Sequence, residues 1–179
     1  APLGYAAKIR DKIETLLEAH YRETFEKWLE TERIVCTPYF RLRPSIHPAT
    51  YTDIYARSLY AAEDGDMNKL EQKLVVELTA LPNVRWWHRN IAKQDFAING
   101  FIKHYPDILI MTKSGKLICA ETKGDHLKND DSREKIALGQ AWRTAAGKDF
   151  RYYMVFENEE NLLPGAVSMS QFIDTVKAL

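Results

Sequence analysis

The stretch HYPDILIMTKSGKLICAETKG, residues 104–124, decides how this chain folds. It reads as a β-hairpin, with apolar arms on either side of Lys113-Ser114-Gly115 and Gly115 supplying the left-handed position that a three-residue loop needs. That loop sets a register in which Asp107 lies directly opposite Glu121. A slip of one residue would turn Asp107 to the other face. Glu121 and Lys123 are two apart on one arm and therefore share a face, while Thr122 points the other way. Both arms are apolar at alternate and intervening positions, the pattern of a sheet covered on both sides.

Upstream of the hairpin, MNKLEQKLVVELTAL (67–81) predicts a helix capped by Asn68 or Asp66 and stopped by Pro82. Leu70, Leu74, Leu78 and Leu81 form its buried stripe, with Glu71 and Glu77 on opposite flanks and Glu71 slightly nearer the centre. VRWWH (84–88) and DFAI (95–98) read as strands, the second followed by an Asn99-Gly100 turn. Downstream, residues 128–147 predict a helix ended by Gly147, RYYMVF (151–156) a buried strand, and Ser168 the cap of a final helix. This order argues for an α/β fold, a mixed central β-sheet flanked by helices on both faces, over residues 63–179.

Residues 1–62 read as an N-terminal helical extension and an irregular connector. Ile9, Ile13, Leu16, Leu17, His20, Tyr21, Thr24 and Trp28 recur at helical spacing along residues 5–31. That stripe predicts packing on the core for the inner half of the helix, and leaves residues 1–12 open as a connector or docking segment. Beyond it Pro38, Pro44 and Pro48 break any helix, TPYFRL (37–42) reads as a short edge strand, Tyr51 to Tyr60 as a short helix, and EDGD (63–66) as a solvated acidic loop.

Composition narrows the class. Hydrophobic residues make up 45% and charged residues 28%, as in an ordinary globular domain, and 25 basic residues cancel 25 acidic ones. Neutral net charge is compatible with a nucleic-acid partner, because a basic stripe and an acidic metal site offset each other. Cys36 and Cys119 are far apart, and Cys119 lies inside an apolar strand, which reads as a buried free thiol in a reducing, cytoplasmic setting. No apolar run is long enough to span a membrane, and there is no zinc spacing, glycine-rich phosphate loop or nucleophile elbow. The chain starts at Ala1 without Met and enters a helix almost at once, which reads as a piece of a longer protein.

The chemistry lies where the hairpin opens. Two carboxylates, Asp107 and Glu121, held opposite each other repel unless a cation lies between them. Their oxygens, with the backbone carbonyl of Thr122, are hard ligands suited to Mg²⁺. Lys123 beside them is placed to position or deprotonate an attacking water, or to stabilise a pentacovalent phosphorus. Pro106 stiffens the backbone just before Asp107. The bland alternative is an ordinary ion pair where a buried hairpin meets water. His88, Arg89 and Asn90 after a strand, and Lys128, Arg133 and Lys135 at the start of a helix, are secondary candidates for phosphate contact or simply solvated charge.

A helix bearing Glu, a strand, a strand bearing Asp, a strand bearing E-x-K, a helix and a strand together resemble the PD-(D/E)xK nuclease superfamily, over about Met67 to Phe156. YPDILI (105–110), ETKGDHL (121–127) and KIALGQAW (135–142), with WWHRN (86–90) and NGF (99–101), are similar to the carboxy-terminal endonuclease domain of the restriction subunit of type III restriction enzymes. The resemblance implies a restriction-endonuclease-like fold and Mg²⁺-dependent cleavage of double-stranded DNA by Asp107, Glu121 and Lys123, with Mn²⁺ able to substitute. It implies Glu71, or failing that Glu77, as a further metal ligand, and matches a helix Gln position only partly at Gln140. It also implies an upstream helicase-like motor, a modification methyltransferase subunit as partner, and no ATP site in these residues. The competing expectations are an inactive DNA-binding or docking module of the same fold, and a DNA-repair nuclease.

Overall fold

The computed structural model describes residues 2–179, and its hairpin has the expected register. Strands β6 (Ile108–Thr112) and β7 (Leu117–Lys123) pair antiparallel with Ile108 against Ala120 and Leu109 against Cys119, so Asp107 and Glu121 are the next positions facing each other. Lys113-Ser114-Gly115 is the loop: Thr112 N–H donates to Lys116 O at 2.9 Å, and Gly115 has φ of 83°. Only glycine takes that conformation without strain.

The remaining elements, in chain order, are α1 (Pro2–Glu30), β1 (Tyr51–Thr52), β2 (Glu63–Asp64), α2 (Lys69–Ala80), β3 (Val84–Arg89), β4 (Ile98–Asn99) and β5 (Lys103–His104) before the hairpin. After it come a 3₁₀ turn at Asp125–Leu127, α3 (Asp130–Ala146), β8 (Phe150–Phe156), β9 (Val167–Ser168) and α4 (Met169–Lys177). The main sheet has the order β3-β6-β7-β8-β9, with antiparallel pairing from β3 to β7 and parallel pairing from β7 to β9. It is a mixed sheet in an α/β fold.

Alternation along the strands builds two cores. Ile108, Ile110, Ile118, Ala120, Tyr153 and Val155 face α2 and α4, against Leu74, Leu78, Phe172 and Val176. Leu109, Cys119, Tyr152, Met154 and Phe156 face α3, against Ile136, Leu138 and Trp142. Cys119 is a fully buried free thiol whose pKa burial pushes well up. Gly139 lets α3 lie flat on this face, since a Cβ there would overlap the Tyr152 ring. Capping boxes begin α2, with Asn68 and Glu71, and α4, with Ser168 and Gln171.

Several local expectations are corrected. TPYFRL forms no strand and Tyr51 to Tyr60 no helix. The backbone there is used otherwise: Leu59 N–H donates to Trp87 O at 2.8 Å and Trp87 N–H to Arg57 O at 3.0 Å, so this segment lines the edge of β3. DFAI is not a four-residue strand. Asp95 accepts from Ile91 N–H at 2.9 Å and closes a turn, and only Ile98–Asn99 pairs, with Lys103–His104. EDGD is not a solvated loop either. Glu63 is fully buried in β2, 2.7 Å from His88 Nδ1. Residues on both sides of position 62 bond to β3, Leu59 to Trp87 and Glu63 to His88.

The helix over residues 5–31 forms, but its stripe does not pack as expected. Ile13, Leu16 and Tyr21 are 51%, 57% and 57% exposed. The inner half touches the core through Phe25, edge-on to Phe101 at 5.6 Å between centroids, and Arg22 lies over the same ring. Among the described residues no helix is long and apolar enough to cross a membrane.

Candidate functional site

Asp107, Glu121 and Lys123 meet at one end of the sheet. Glu121 and Lys123 project from β7 towards α3, and Lys123 Nζ is 3.2 Å from Glu121 Oε1. Asp107 lies just before β6, and its carboxylate reaches across to the next residue of the partner strand. Thr122 N–H and Thr122 Oγ1 both donate to Asp107 Oδ2, at 2.8 Å and 3.0 Å. The Thr122 side chain does point away from Glu121, as strand alternation requires, but it clamps Asp107 instead of standing idle. Asp107 Oδ1 is left facing Arg89 Nη1 at 3.6 Å. The clamp sets Asp107 at the boundary between the two faces of the sheet.

Two basic residues that the motif does not contain complete the arrangement. Arg89, at the end of β3, donates from Nη1 to Asp107 O at 2.9 Å and from Nη2 to Glu71 Oε1 at 3.1 Å. Lys135, in the second turn of α3, holds Nζ 3.5 Å from Glu121 Oε1 and 3.0 Å from Asp131 Oδ2. Three carboxylates, Glu71, Asp107 and Glu121, thus face three bases, Arg89, Lys123 and Lys135. Lys135 is visible in the sequence only as one of several charges opening a helix. Its neighbours Lys128 and Arg133 turn elsewhere, to Glu160 O and Asp130.

Glu121 carries the strongest electrostatic tension. It is 3% exposed, and burial first, then the Asp107 charge, push its pKa up to about 8 despite Lys123 and Lys135. Its Oε2 has no hydrogen-bond partner. His104 Nε2 lies 3.9 Å from it and is engaged with Tyr152 Oη at 3.0 Å. His104 is held neutral, its pKa pushed down to about 3 by burial and by the charges of Lys135 and Lys123. Glu121 binds its proton more tightly in the fold than at its ordinary 4.5. Its contribution to stability is full below that value and is lost as pH rises through about 8, unless another cation takes the proton's place.

A divalent cation fits this donor set in part. A buried carboxylate oxygen without a partner, beside a second carboxylate, is what a hard cation relieves. Mg²⁺ is commonly held by one or two carboxylates, with water and phosphate oxygens filling the rest. Asp107 and Glu121 supply such a pair, and the Thr122 carbonyl expected as a ligand belongs to the residue that fastens Asp107. Glu71 is differently engaged. It is the helix residue on the site's side, as its place on the stripe suggests, and Glu77 is exposed. Its Oε1 is taken by Arg89, and its Oε2 accepts from Asn68 N–H at 2.9 Å. Among the described residues no three His, Cys, Asp or Glu side chains come together as a ready-made metal shell, and Glu71 is paired with Arg89.

Other expectations are redirected as well. His88 and Asn90 face inward, not towards a ligand: His88 lies between Glu63 and Asp95, and Asn90 donates to Phe96 O and Pro106 O. Gln140 lies away from the charged cluster, beside Leu29 and Ala141. A large cavity of about 910 Å³ also lies elsewhere, between α1 and α3.

Comparison with family models, with curated proteins and with solved structures finds no match to this chain.

The hold of Lys135 on Glu121 can be tested by titration. Lys135→Ala removes one of two cations at Glu121, so the Glu121 carboxyl titration followed by ¹³C NMR is expected to move up from about 8, and Lys135→Arg to restore it. An unmoved midpoint in Lys135→Ala would show that the lysine is electrostatically idle.

Proposed function

We propose that this chain is a Mg²⁺-dependent endonuclease domain of the PD-(D/E)xK kind, hydrolysing phosphodiester bonds in double-stranded DNA, with Mn²⁺ able to substitute. The observation that carries the reading is Glu121: a buried carboxylate with one unpartnered oxygen, its pKa raised by burial and then by Asp107, and flanked by Lys123 at 3.2 Å. An ordinary surface ion pair has no reason to bury its acid beside a second one.

In this reading Asp107 and Glu121 hold the cation. When bound, the cation supplies Lewis acidity at phosphorus and lowers the pKa of a water. The protein's own residues do the positioning. Thr122 locks Asp107 Oδ2 with two hydrogen bonds, so the carboxylate is oriented before any ligand arrives. Lys123 Nζ stands where it can orient the attacking water or offset charge developing on the phosphoryl oxygens, and Lys135 adds a second positive charge from α3. Arg89 fixes the backbone of Asp107 through its carbonyl.

The finer assignment follows the sequence resemblance. The domain would be the cleavage module of a type III restriction enzyme in the cytoplasm, working with a helicase-like motor and a methyltransferase subunit, and binding no ATP itself.

Calorimetric titration with Mg²⁺ or Mn²⁺ tests the metal step without needing cleavage. Because Glu121 holds a proton up to about pH 8, binding is expected to release a proton, and affinity to rise about tenfold per pH unit below that value. Nicking of supercoiled plasmid with either metal tests the reaction. No binding at millimolar metal from pH 7 to 9 would sink the proposal, and metal binding without nicking, even with the motor and partner subunit present, would favour the docking module.

A further inference from the structure

Helix α1 carries two apolar surfaces. Near its C-terminal end it borders the cavity of about 910 Å³, whose walls include Tyr21, Phe25, Trp28, Ala141, Trp142 and Ala145. Near its N-terminal end Ile9, Ile13, Leu16 and Leu17 form a ridge that is 59%, 51%, 57% and 44% exposed. Their spacing of three and four keeps that ridge continuous along the helix. Ridge and groove are centred about 12 residues apart on one rod, roughly 18 Å at 1.5 Å per residue.

The charges on the two halves are opposite. Residues 8–12 hold Lys8, Arg10 and Lys12 against Asp11 alone, and residues 23–30 hold Glu23, Glu26 and Glu30 against Lys27 alone. All eight are exposed.

We propose that ridge and groove are the two halves of one self-complementary interface, through which two copies of this chain pair by antiparallel packing of α1. A two-fold axis near residue 19 lays the ridge of each copy on the groove of the other. The same operation sets the basic segment 8–12 opposite the acidic segment 23–30, twice. Parallel pairing would bring like charges together and leave both grooves uncovered. A two-fold arrangement is isologous, so it closes at two copies. The inference stands on the helix alone and does not need the nuclease reading, although two copies would bring one candidate site for each strand of a duplex.

Sedimentation equilibrium of the full chain over a range of concentrations is the test. The expected result is a dimer that weakens with added salt, because rim charges are screened. Ile13→Glu with Leu16→Glu is expected to give a monomer with unchanged circular dichroism, since both side chains are exposed in the single chain. Mild oxidation in a Cys36→Ser background reads the direction. His20→Cys, next to the axis and exposed, is expected to cross-link, whereas Ile9→Cys is not, its partner lying roughly 30 Å away along the pair. A chain that stays monomeric at all concentrations, a double variant that still dimerises, or Ile9→Cys cross-linking as fast as His20→Cys overturns the proposal.

Discussion

Asp107→Asn is expected to lower Mg²⁺-dependent plasmid cleavage by on the order of a thousandfold while leaving the fold intact. The side-chain oxygen of Asn can still accept from Thr122 N–H and Oγ1, which hold Asp107 Oδ2 at 2.8 Å and 3.0 Å. Only the charge and one metal-binding oxygen are lost. Calorimetry should show metal affinity falling in parallel. Removing Asp107 also removes the second-largest cause of the raised Glu121 pKa, so that group should titrate lower in the variant. Lys123→Ala separates the roles. It touches Glu121 but is not a ligand, so metal binding should persist while cleavage falls on the order of 10²- to 10⁴-fold, the range for a proton-transfer or charge-stabilising group. Asp107→Asn cleaving at the wild-type rate would remove the proposed chemistry altogether.

His88→Ala is expected to be the most damaging single change to stability. His88 is fully buried, with Nδ1 2.7 Å from Glu63 Oε2 and Nε2 3.3 Å from Asp95 Oδ2, and Arg43 Nε reaches Asp95 Oδ1 at 2.8 Å. Burial alone would push the His88 pKa down, but its bonds to the two carboxylates outweigh that and raise it. Asp95 moves the other way: burial pushes it up, and bonds from His88 and Arg43 bring it below its ordinary value. Removing the imidazole leaves two buried carboxylates short of a cation, a loss of about 3–5 kcal/mol, or about 10 °C in Tm for a chain of this length. Glu63→Gln in the same background should recover part of the loss by removing one uncompensated charge.

The sign of the pH dependence follows from the two shifts. The folded pKa of His88 lies above its unfolded value near 6.5, so its contribution is complete below that pH and is lost as pH rises through the folded value. Asp95 contributes above its unfolded value near 3.8 and is lost as pH falls through its lowered one. Thermal melts from about pH 2 to 9 span both windows. A melting point in His88→Ala within a degree or two of wild type at pH 6 would show the network to be energetically neutral.

Much of the local architecture was legible in the chain. Gly115 and the apolar arms set the hairpin register, and Asn68, Ser168 and Gly147 marked helix ends, because turns, caps and strand alternation depend on neighbours a few residues apart. The two-sided covering of the sheet was legible for the same reason, in arms apolar at every position. Glu63 was misread because an E-D-G-D run looks solvated, and its partner His88 lies 25 residues away. The α1 stripe was misread in the other direction. Its periodicity is that of a packed helix, yet periodicity says which residues share a face and not what covers that face.

The same limit runs through the candidate site. That Asp107 faces Glu121, and that Lys123 shares the Glu121 side, follows from the register of one hairpin and is readable from neighbouring residues. Which charges complete the cluster depends on how distant segments pack. Arg89 comes from 18 residues before Asp107 to bridge it to Glu71, and Lys135 comes from a helix on the opposite face of the sheet. Coulomb partners are set by distance in space, and in a sheet with helices on both faces that distance is fixed by packing and not by spacing along the chain.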